Sequence, residues 1–420
     1  MQTAIIQSSN DIDSILAAIR DGRNIFITGV AGTGKSYTLG RIKEEFRDKG
    51  LHLTASTGIA AVQIGGRTLH SWAGLGTGKA PVEELIANMM SGRGARLRRK
   101  IKNAKILAID EISMISGDLF DKLNQLLKHV RQRKAPFGGL QLVLVGDFLQ
   151  LPPVSRDERV FCFESEAWTE ATPAVFILKN VFRQENAEFI NLLHHIRRGD
   201  LNDAHLALLE GRRNLPLPEN VLPTILCTHN HQAEDINRSH MEQLAGRGKK
   251  YVMKSSGNEA SQEFLRKNCR AAEELVLKQG AQVMMLKNTF QEDGISNGSL
   301  GVVEEFTDKG FPVVRFANRR KMTIEPEEWL AEEYDLVEEK MVTTASIRQI
   351  PLLPAWAITV HKSQGMTLDY IQCDLGSAFE EGQVYVALSR VKSLEGLFLK
   401  DFKPHLIKAN AKVVAFYEGL

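Results

Sequence analysis

The segment Gly29 to Ser36, GVAGTGKS, constrains the fold more than any other part of this chain. It follows a short apolar run, NIFITG (24–29), and opens a helical stretch, Lys35 to Asp48. A glycine-rich loop between a strand and a helix wraps a polyphosphate with inward-pointing N–H groups. The helix N-terminus adds partial positive charge. Gly29, Gly32, Thr33 and Gly34 form the cradle, Lys35 reaches the terminal phosphates, and Ser36 offers a hydroxyl to Mg²⁺. Such a loop belongs to a parallel sheet covered by helices on both faces.

The rest of the chain agrees. LHLTAST (51–57), KILAIDE (105–111) and LQLVLVGD (140–147) read as further strands of the same sheet. AVFIL (174–178), TILCT (224–228), AITV (357–360) and YIQCDL (370–375) read as a second α/β domain, with helices at 187–198, 231–245 and 380–392. Short β segments and turns between 274 and 352 indicate a small inserted β-barrel. The expected division is 1–173, 174–273 with 353–420, and 274–352. A chain of 420 residues fits two or three domains at roughly 150 residues each. No apolar run reaches the ~18–20 residues needed to span a bilayer. No basic stretch followed by an apolar one marks a secretory leader. Four scattered cysteines fit reduced thiols. These features predict a cytoplasmic location, nucleoid-associated if bacterial, with no membrane partner.

Asp110 and Glu111 end the strand ILAID, beside the P-loop. Asp110 suits the Mg²⁺ shell and Glu111 suits polarisation of an attacking water. The next strand leads to GDFLQLPPV (146–154), where the Gln150 amide can bond a γ-phosphate oxygen and the water together. A net charge of +2 does not advertise a nucleic-acid partner, so that case rests on local residues. The segment 93–102 holds six basic residues, which suit a solvated helix or a phosphate-contacting surface equally. The tract 325–339 holds eight carboxylates and reads as a solvated surface away from DNA.

GVAGTGKS, TASTGIAA (54–61), GGRTLHSWAGLG (65–76), DEISMI (110–115), GDFLQLPPV, VFRQ (181–184), TVHKSQGMT (359–367) and VYVALSRV (384–391) occur in the order found in the PIF-one family of DNA helicases. The chain resembles these RecD-like members of helicase superfamily one, subclass B, from about residue 24 to 400. The resemblance implies two RecA-like P-loop domains with ATP and Mg²⁺ between them, and an SH3-like insertion in the second. It also implies a short wedge-like segment (about 74–104) in the first. The implied activity is 5′→3′ translocation on single-stranded DNA and unwinding of tailed or forked duplex, by a protein monomeric when translocating. Replication, repair, recombination and telomere maintenance are the family's roles. By the same resemblance Arg183 and Arg390 contact the γ-phosphate, with Gly365 nearby. Thr57, Gly58, His70, Ser71 and Trp72 contact DNA from the first domain; Thr228, Asn230, Thr359, His361 and Lys362 do so from the second. Trp72 is the expected base-stacking group. The family's adenine-reading glutamine has no counterpart in its usual place, where Asn-Asp-Ile-Asp (10–13) stands and Gln7 is the nearest glutamine upstream. A motor subunit that unwinds poorly alone, or a nucleotide switch that remodels a protein, are the alternative readings.

Overall fold

The computed structural model describes residues 6–7, 12–153, 160–217, 223–227, 229–335, 340–374 and 381–420. The first domain alternates strand and helix: β1 (Ile6–Gln7), α1 (Ile12–Arg20), β2 (Ile25–Gly29), α2 (Lys35–Phe46), β3 (Leu51–Ala55), α3 (Gly58–Gln63), β4 (Arg67–Thr68) and α4 (Leu69–Ala73). It continues with α5 (Val82–Met90), α6 (Ala95–Asn103), β5 (Ile106–Asp110), α7 (Gly117–Arg131), β6 (Gln141–Val145), α8 (Glu166–Ala171) and β7 (Ala174–Leu178). The strands form one parallel seven-stranded sheet in the order β1-β7-β2-β6-β5-β3-β4. β2 and β3 are buried at every position, because helices cover both faces. Alternation along β2 sends Phe26 into one core with Trp72 and Leu107, and Ile25 and Ile27 into the other with Leu39. The order β2-β6-β5 places the P-loop, Gln150 and the Asp110–Glu111 pair at the carboxyl ends of three neighbouring strands, where open α/β sheets bind ligands.

β7 corrects the expected domain division. It pairs with β2, so 174–178 completes the first sheet instead of starting the second. The chain then crosses through α9 (Ala187–Arg198) and α10 (Asp203–Glu210) to β8 (Thr224–Cys227) and α11 (Asn230–Gln243).

The insertion starts earlier than 274. β9 (Lys249–Val252), β10 (Lys254–Gly257) and α12 (Glu259–Asn268) precede β11 (Glu274–Leu277), and β9 pairs with β11. β12 (Gln282–Met285), β13 (Leu300–Phe306), β14 (Pro312–Phe316), β15 (Lys321–Thr323) and, after a long hairpin, β18 (Leu352–Pro354) form an antiparallel sheet, β15-β14-β13-β12-β18. The hairpin is β16 (Glu327–Asp335) and β17 (Lys340–Gln349), and β17 also pairs with β10. The chain returns through β19 (Ala357–Thr359), α13 (Val360–Ser363), β20 (Ile371–Asp374), α14 (Gln383–Leu388) and β21 (Leu397–Asp401). The second sheet is parallel, β19-β8-β20-β21. Thus the architecture is α/β, two parallel-sheet RecA-like domains with an antiparallel insertion in the second.

The last helix, α15 (Ala411–Glu418), was expected with the second domain and packs on the first. Val413 is buried in the first-domain core, and Phe416 stacks on Phe163 with centroids 4.2 Å apart.

The acidic tract is not merely solvated. Two consecutive carboxylates of β16 reach the first domain just past a β-bulge in which Thr344 of β17 is the extra residue. Glu332 meets Lys43 at 2.7 Å, and Glu333 meets Arg67 and Lys100, each at 2.9 Å. Lys100, from the basic segment, is thereby committed to an ion pair. Among the described residues no helix is long and apolar enough to cross a membrane.

Candidate nucleotide site and nucleic-acid interface

The P-loop conformation depends on two glycines. Gly32 and Gly34 have φ of +84° and +86°, where a side chain is strained, and a Cβ on Gly32 would lie 2.7 Å from Arg183 Cβ. Lys35 Nζ donates to the carbonyls of Gly29 at 2.6 Å and Val30 at 3.0 Å. Burial lowers its pKa, opposed by the charges of Asp147 and Glu111. Thr33 is buried and donates to Val30 O at 2.9 Å, while Ser36 is exposed on the first turn of α2. Burial, with Glu111 adding to it, pushes the Asp110 carboxyl up to about 7. A crowded carboxylate pair facing a lysine is a donor set that a divalent cation stabilises, so Asp110 and Ser36 fit Mg²⁺ chemically. Glu111 adopts φ +52°, a left-handed conformation that costs a non-glycine residue energy and is held by its surroundings.

Gln150 is buried on the same side. Its Nε2 faces Asp147 Oδ2 at 3.4 Å, and its N–H donates to Asp147 O at 3.0 Å. Asp147 is fully buried; burial works against its charge, but Arg197, donating at 2.6 and 3.1 Å, outweighs it and holds the carboxyl low. Tyr417 of α15 stands beneath the Arg197 guanidinium at 4.8 Å, and its hydroxyl hydrogen-bonds Thr28 Oγ1 at 2.8 Å.

The crossing segment after β7 and the second domain supply cations. Arg183 Nε donates to Thr367 Oγ1 at 3.0 Å and Nη1 to Ser389 O at 2.9 Å. Burial, then the charge of Arg390, brings Arg183 down to about 9. Arg390 follows α14 and is 2% exposed; burial lowers it while Tyr385, Glu111 and Asp147 oppose. The structure therefore brings Lys35, Glu111, Gln150, Arg183 and Arg390 to one cleft. Tyr385, also on α14, accepts from the Ala31 N–H at 2.7 Å and ties the second domain to the P-loop. Gly365 is exposed, with φ +77°.

Sequence reasoning missed Asp147, Arg197, Tyr385, Tyr417 and Phe182. Asp147 lies within GDFLQLPPV and Tyr385 within VYVALSRV, where residue type alone does not separate a bracing side chain from its neighbours. Phe182 is 72% exposed, with its ring against Gly34. An aromatic so exposed beside a P-loop suits a nucleotide base. Arg197 and Tyr417 carry no local signal, since their partners are distant in sequence.

The residues expected to contact DNA divide. His70 is half-buried, and burial lowers its pKa; Ser71 is exposed. Trp72 corrects an expectation. It is 1% exposed in the first-domain core, 5.7 Å from His52 between ring centroids, and presents no face to a base. One helix, α4, points the first two outward and the third inward. Thr57 caps α3 by accepting from the Ala60 N–H at 3.3 Å, and Asn268 lies directly over Gly58. Thr359 is buried, donates to Asn230 Oδ1 at 3.3 Å and accepts from the Lys362 N–H at 3.2 Å, so these three residues form one cluster. Lys362 Nζ lies 3.9 Å from Glu234. Thr228 and the side chain of His361 lie outside the described residues, as do residues 10–11 of the segment facing the base-reading question. A cleft of about 650 Å³ separates α6 from the insertion, lined by Arg67, Ser71, Arg96, Arg99 and Thr344.

Comparison with known proteins places these observations. The PIF1-like helicase family profile matches residues 6–206, and that of the DNA helicase Pif1 2B domain matches 262–306. The ATP-dependent DNA helicase PIF1 of Xenopus laevis is 40% identical over 420 residues, covering 99% of this chain and 65% of the relative. The chain thus spans slightly less than two thirds of that relative's length. A Bacteroides sp Pif1 structure in complex with ADP-AlF4 is 32% identical with a TM-score of 0.85, covering 98% of this chain and 96% of the other. A Bacteroides Pif1 helicase structure with ADP-AlF3 and ssDNA is 31% identical with a TM-score of 0.65, at the same coverage of 98% and 96%. The identity to these chains, the profile matches and the P-loop cleft agree: this chain belongs to the PIF1-like helicase family.

Proposed function

We propose that this chain is an ATP-dependent DNA helicase motor that translocates 5′→3′ on single-stranded DNA and unwinds tailed or forked duplex. The observation that carries the reading is the convergence of Arg183, which packs on Gly32 of the P-loop, and Arg390, from the second domain, on the site that holds Lys35 and Glu111. The ADP-AlF4 and ssDNA complexes named for its Bacteroides relatives support ATP and single-stranded DNA as ligands.

In this reading Lys35 exchanges the Gly29 and Val30 carbonyls for phosphate oxygens. Glu111 orients the attacking water and accepts its proton, while Gln150, braced by Asp147, bonds the γ-phosphate. Arg183 and Arg390 neutralise charge that spreads over the equatorial oxygens in the transition state. Ser36 and Asp110 would hold Mg²⁺, which would supply further charge neutralisation. Because Arg390 comes from the second domain and Arg183 is bonded to that domain's Thr367 and Ser389, closure completes the site and hydrolysis releases it. Asn230, Thr359 and Lys362 on one side and Thr57, His70 and Ser71 on the other hold phosphates without reading sequence. The motor acts as a monomer.

A strand-displacement assay tests this. ATP-dependent release of the labelled strand is expected from a 5′-tailed duplex and not from a 3′-tailed one, and Lys35→Ala abolishes it. Displacement favouring the 3′ tail, or hydrolysis that single strands do not raise, overturns the reading.

A further inference from the structure

Asn268 and Arg270 stand two residues apart where the chain leaves α12, and they touch two different working surfaces. Asn268 Nδ2 donates to Phe264 O at 2.8 Å, which turns Oδ1 across the start of α3. A Cβ on Gly58 would lie only 1.5 Å from that oxygen. Arg270 reaches the other way. Its Nη2 donates to the Gln364 carbonyl at 2.7 Å, while its Nε is buried with no hydrogen-bond partner. The Gln364 side chain lies beside Glu111, and its amide bonds that carboxylate only loosely: the contact opposes the rise of the Glu111 carboxyl, yet the buried Nε2 closes no bond of ordinary geometry. A buried amide left in that position is costly, so something must restrain it. The Arg270 bond to the same residue's carbonyl is such a restraint. Nothing in the mechanism above uses Arg270, Gln364 or Asn268.

We propose that the strap Asn268–Arg270 couples DNA occupancy to hydrolysis. Arg270 is a positioning residue that holds Gln364 in a resting place beside Glu111. A phosphate backbone arriving over Thr57 and Gly58 displaces Asn268 and releases that hold. The inference rests on the functional reading above, since it needs DNA at Gly58. It satisfies what coupling requires: the DNA ligand and Asn268 compete for one position, so DNA binds the two strap positions with different affinity. Once released, the Gln364 amide tightens its loose bond to Glu111 and helps to fix the attacking water.

The test measures ATP turnover with and without saturating oligo-dT in the parent, Arg270→Ala, Arg270→Lys and Asn268→Ala. Binding of a fluorescent non-hydrolysable ATP analogue and of the oligonucleotide is measured alongside. One charge-assisted hydrogen bond corresponds to roughly tenfold in an equilibrium. Arg270→Ala is therefore expected to raise DNA-free kcat by about tenfold, with KM for ATP and DNA-saturated kcat within about threefold of the parent. Arg270→Lys, which keeps a donor, is expected to lie between. Asn268→Ala is expected to raise DNA-free kcat and tighten oligonucleotide binding. A parental stimulation ratio in Arg270→Ala overturns the proposal, as does equal loss of turnover with and without DNA in a variant that still binds the analogue. Should Arg270→Ala fail to bind the analogue, the other two variants decide, and a parental ratio in both overturns it. A parent that DNA does not stimulate refutes the functional reading, and the strap falls with it.

Discussion

Replacing Glu333 by Gln removes one charge and almost no volume, which isolates the ion cluster that docks the insertion on the first domain. Glu333 is 16% exposed at its side chain, between Lys100 at 10% and Arg67 at 26%. The partners respond differently. Burial raises the Glu333 carboxyl, but Lys100 and Arg67 outweigh it and hold it low. Burial lowers Lys100 more than its shared carboxylate restores. The lysine is therefore the member left stranded when the carboxylate goes. Removing one partner of a buried pair costs about 3–5 kcal/mol. Arg67 keeps some solvent and Lys100 can shed its proton, so about 2–4 kcal/mol is expected for Glu333→Gln. A multidomain chain need not unfold in one step, so local opening is the quantity to measure. Hydrogen exchange along α6 and β16 should accelerate by the matching factor. Adding Lys100→Met should recover at least about 1 kcal/mol, because an apolar replacement removes the stranded charge. A cost below about 0.5 kcal/mol, as for ordinary surface changes, would refute the reasoning. So would a double variant no better than the single.

Three further outcomes are expected. Trp72→Ala should cost the first domain about 3–5 kcal/mol in core packing; loss of about 1–3 kcal/mol of oligonucleotide affinity by the folded fraction would instead restore a base-stacking role. Phe182→Ala should raise KM for ATP about tenfold with kcat near the parent's, as for loss of one stacked base; an unchanged KM would remove Phe182 from the nucleotide site. Burial, then the charge of Lys100, brings His52 down to about 3. The unfolded chain takes up that proton near pH 6.5 while the folded chain does not, so stability is lost as pH falls from 6.5 toward 3. By pH 5 the loss is about 2 kcal/mol. Denaturation at pH 7 and 5 should show His52→Leu losing less than the parent.

What could be read from the sequence was what local chemistry dictates. The P-loop, the acids ending β5 and Gln150 after β6 each follow an apolar strand, and strand ends are legible from periodicity. Which sheet a strand joins is not, and so Ala174–Leu178 was placed with the wrong domain. Its five apolar residues suit either sheet, and pairing with β2 is decided by packing across the whole fold. Trp72 shows the same limit inside a motif. His70, Ser71 and Trp72 are consecutive, and only the rotation of α4 against the sheet separates groove from core. The acidic tract reads as solvated because composition cannot show that Glu332 and Glu333 meet partners nearly three hundred and at least two hundred residues earlier in the chain.

Helix α15 changes the mechanics of the pair of domains. The chain passes from the first domain to the second after Leu178 and passes back after Asp401. A body on a single tether can swivel about any axis, whereas two tethers leave free rotation only about the line that joins them. The return tether is anchored firmly, by Phe416 among the aromatic rings of the first core and by the Tyr417 hydroxyl on Thr28 and Asp147. Arg390 rides on the second domain, while Arg183 lies in the outgoing tether itself, against Gly32 of the P-loop. Any relative motion of the two domains is therefore confined to a fixed arc, like that of a door on two hinges.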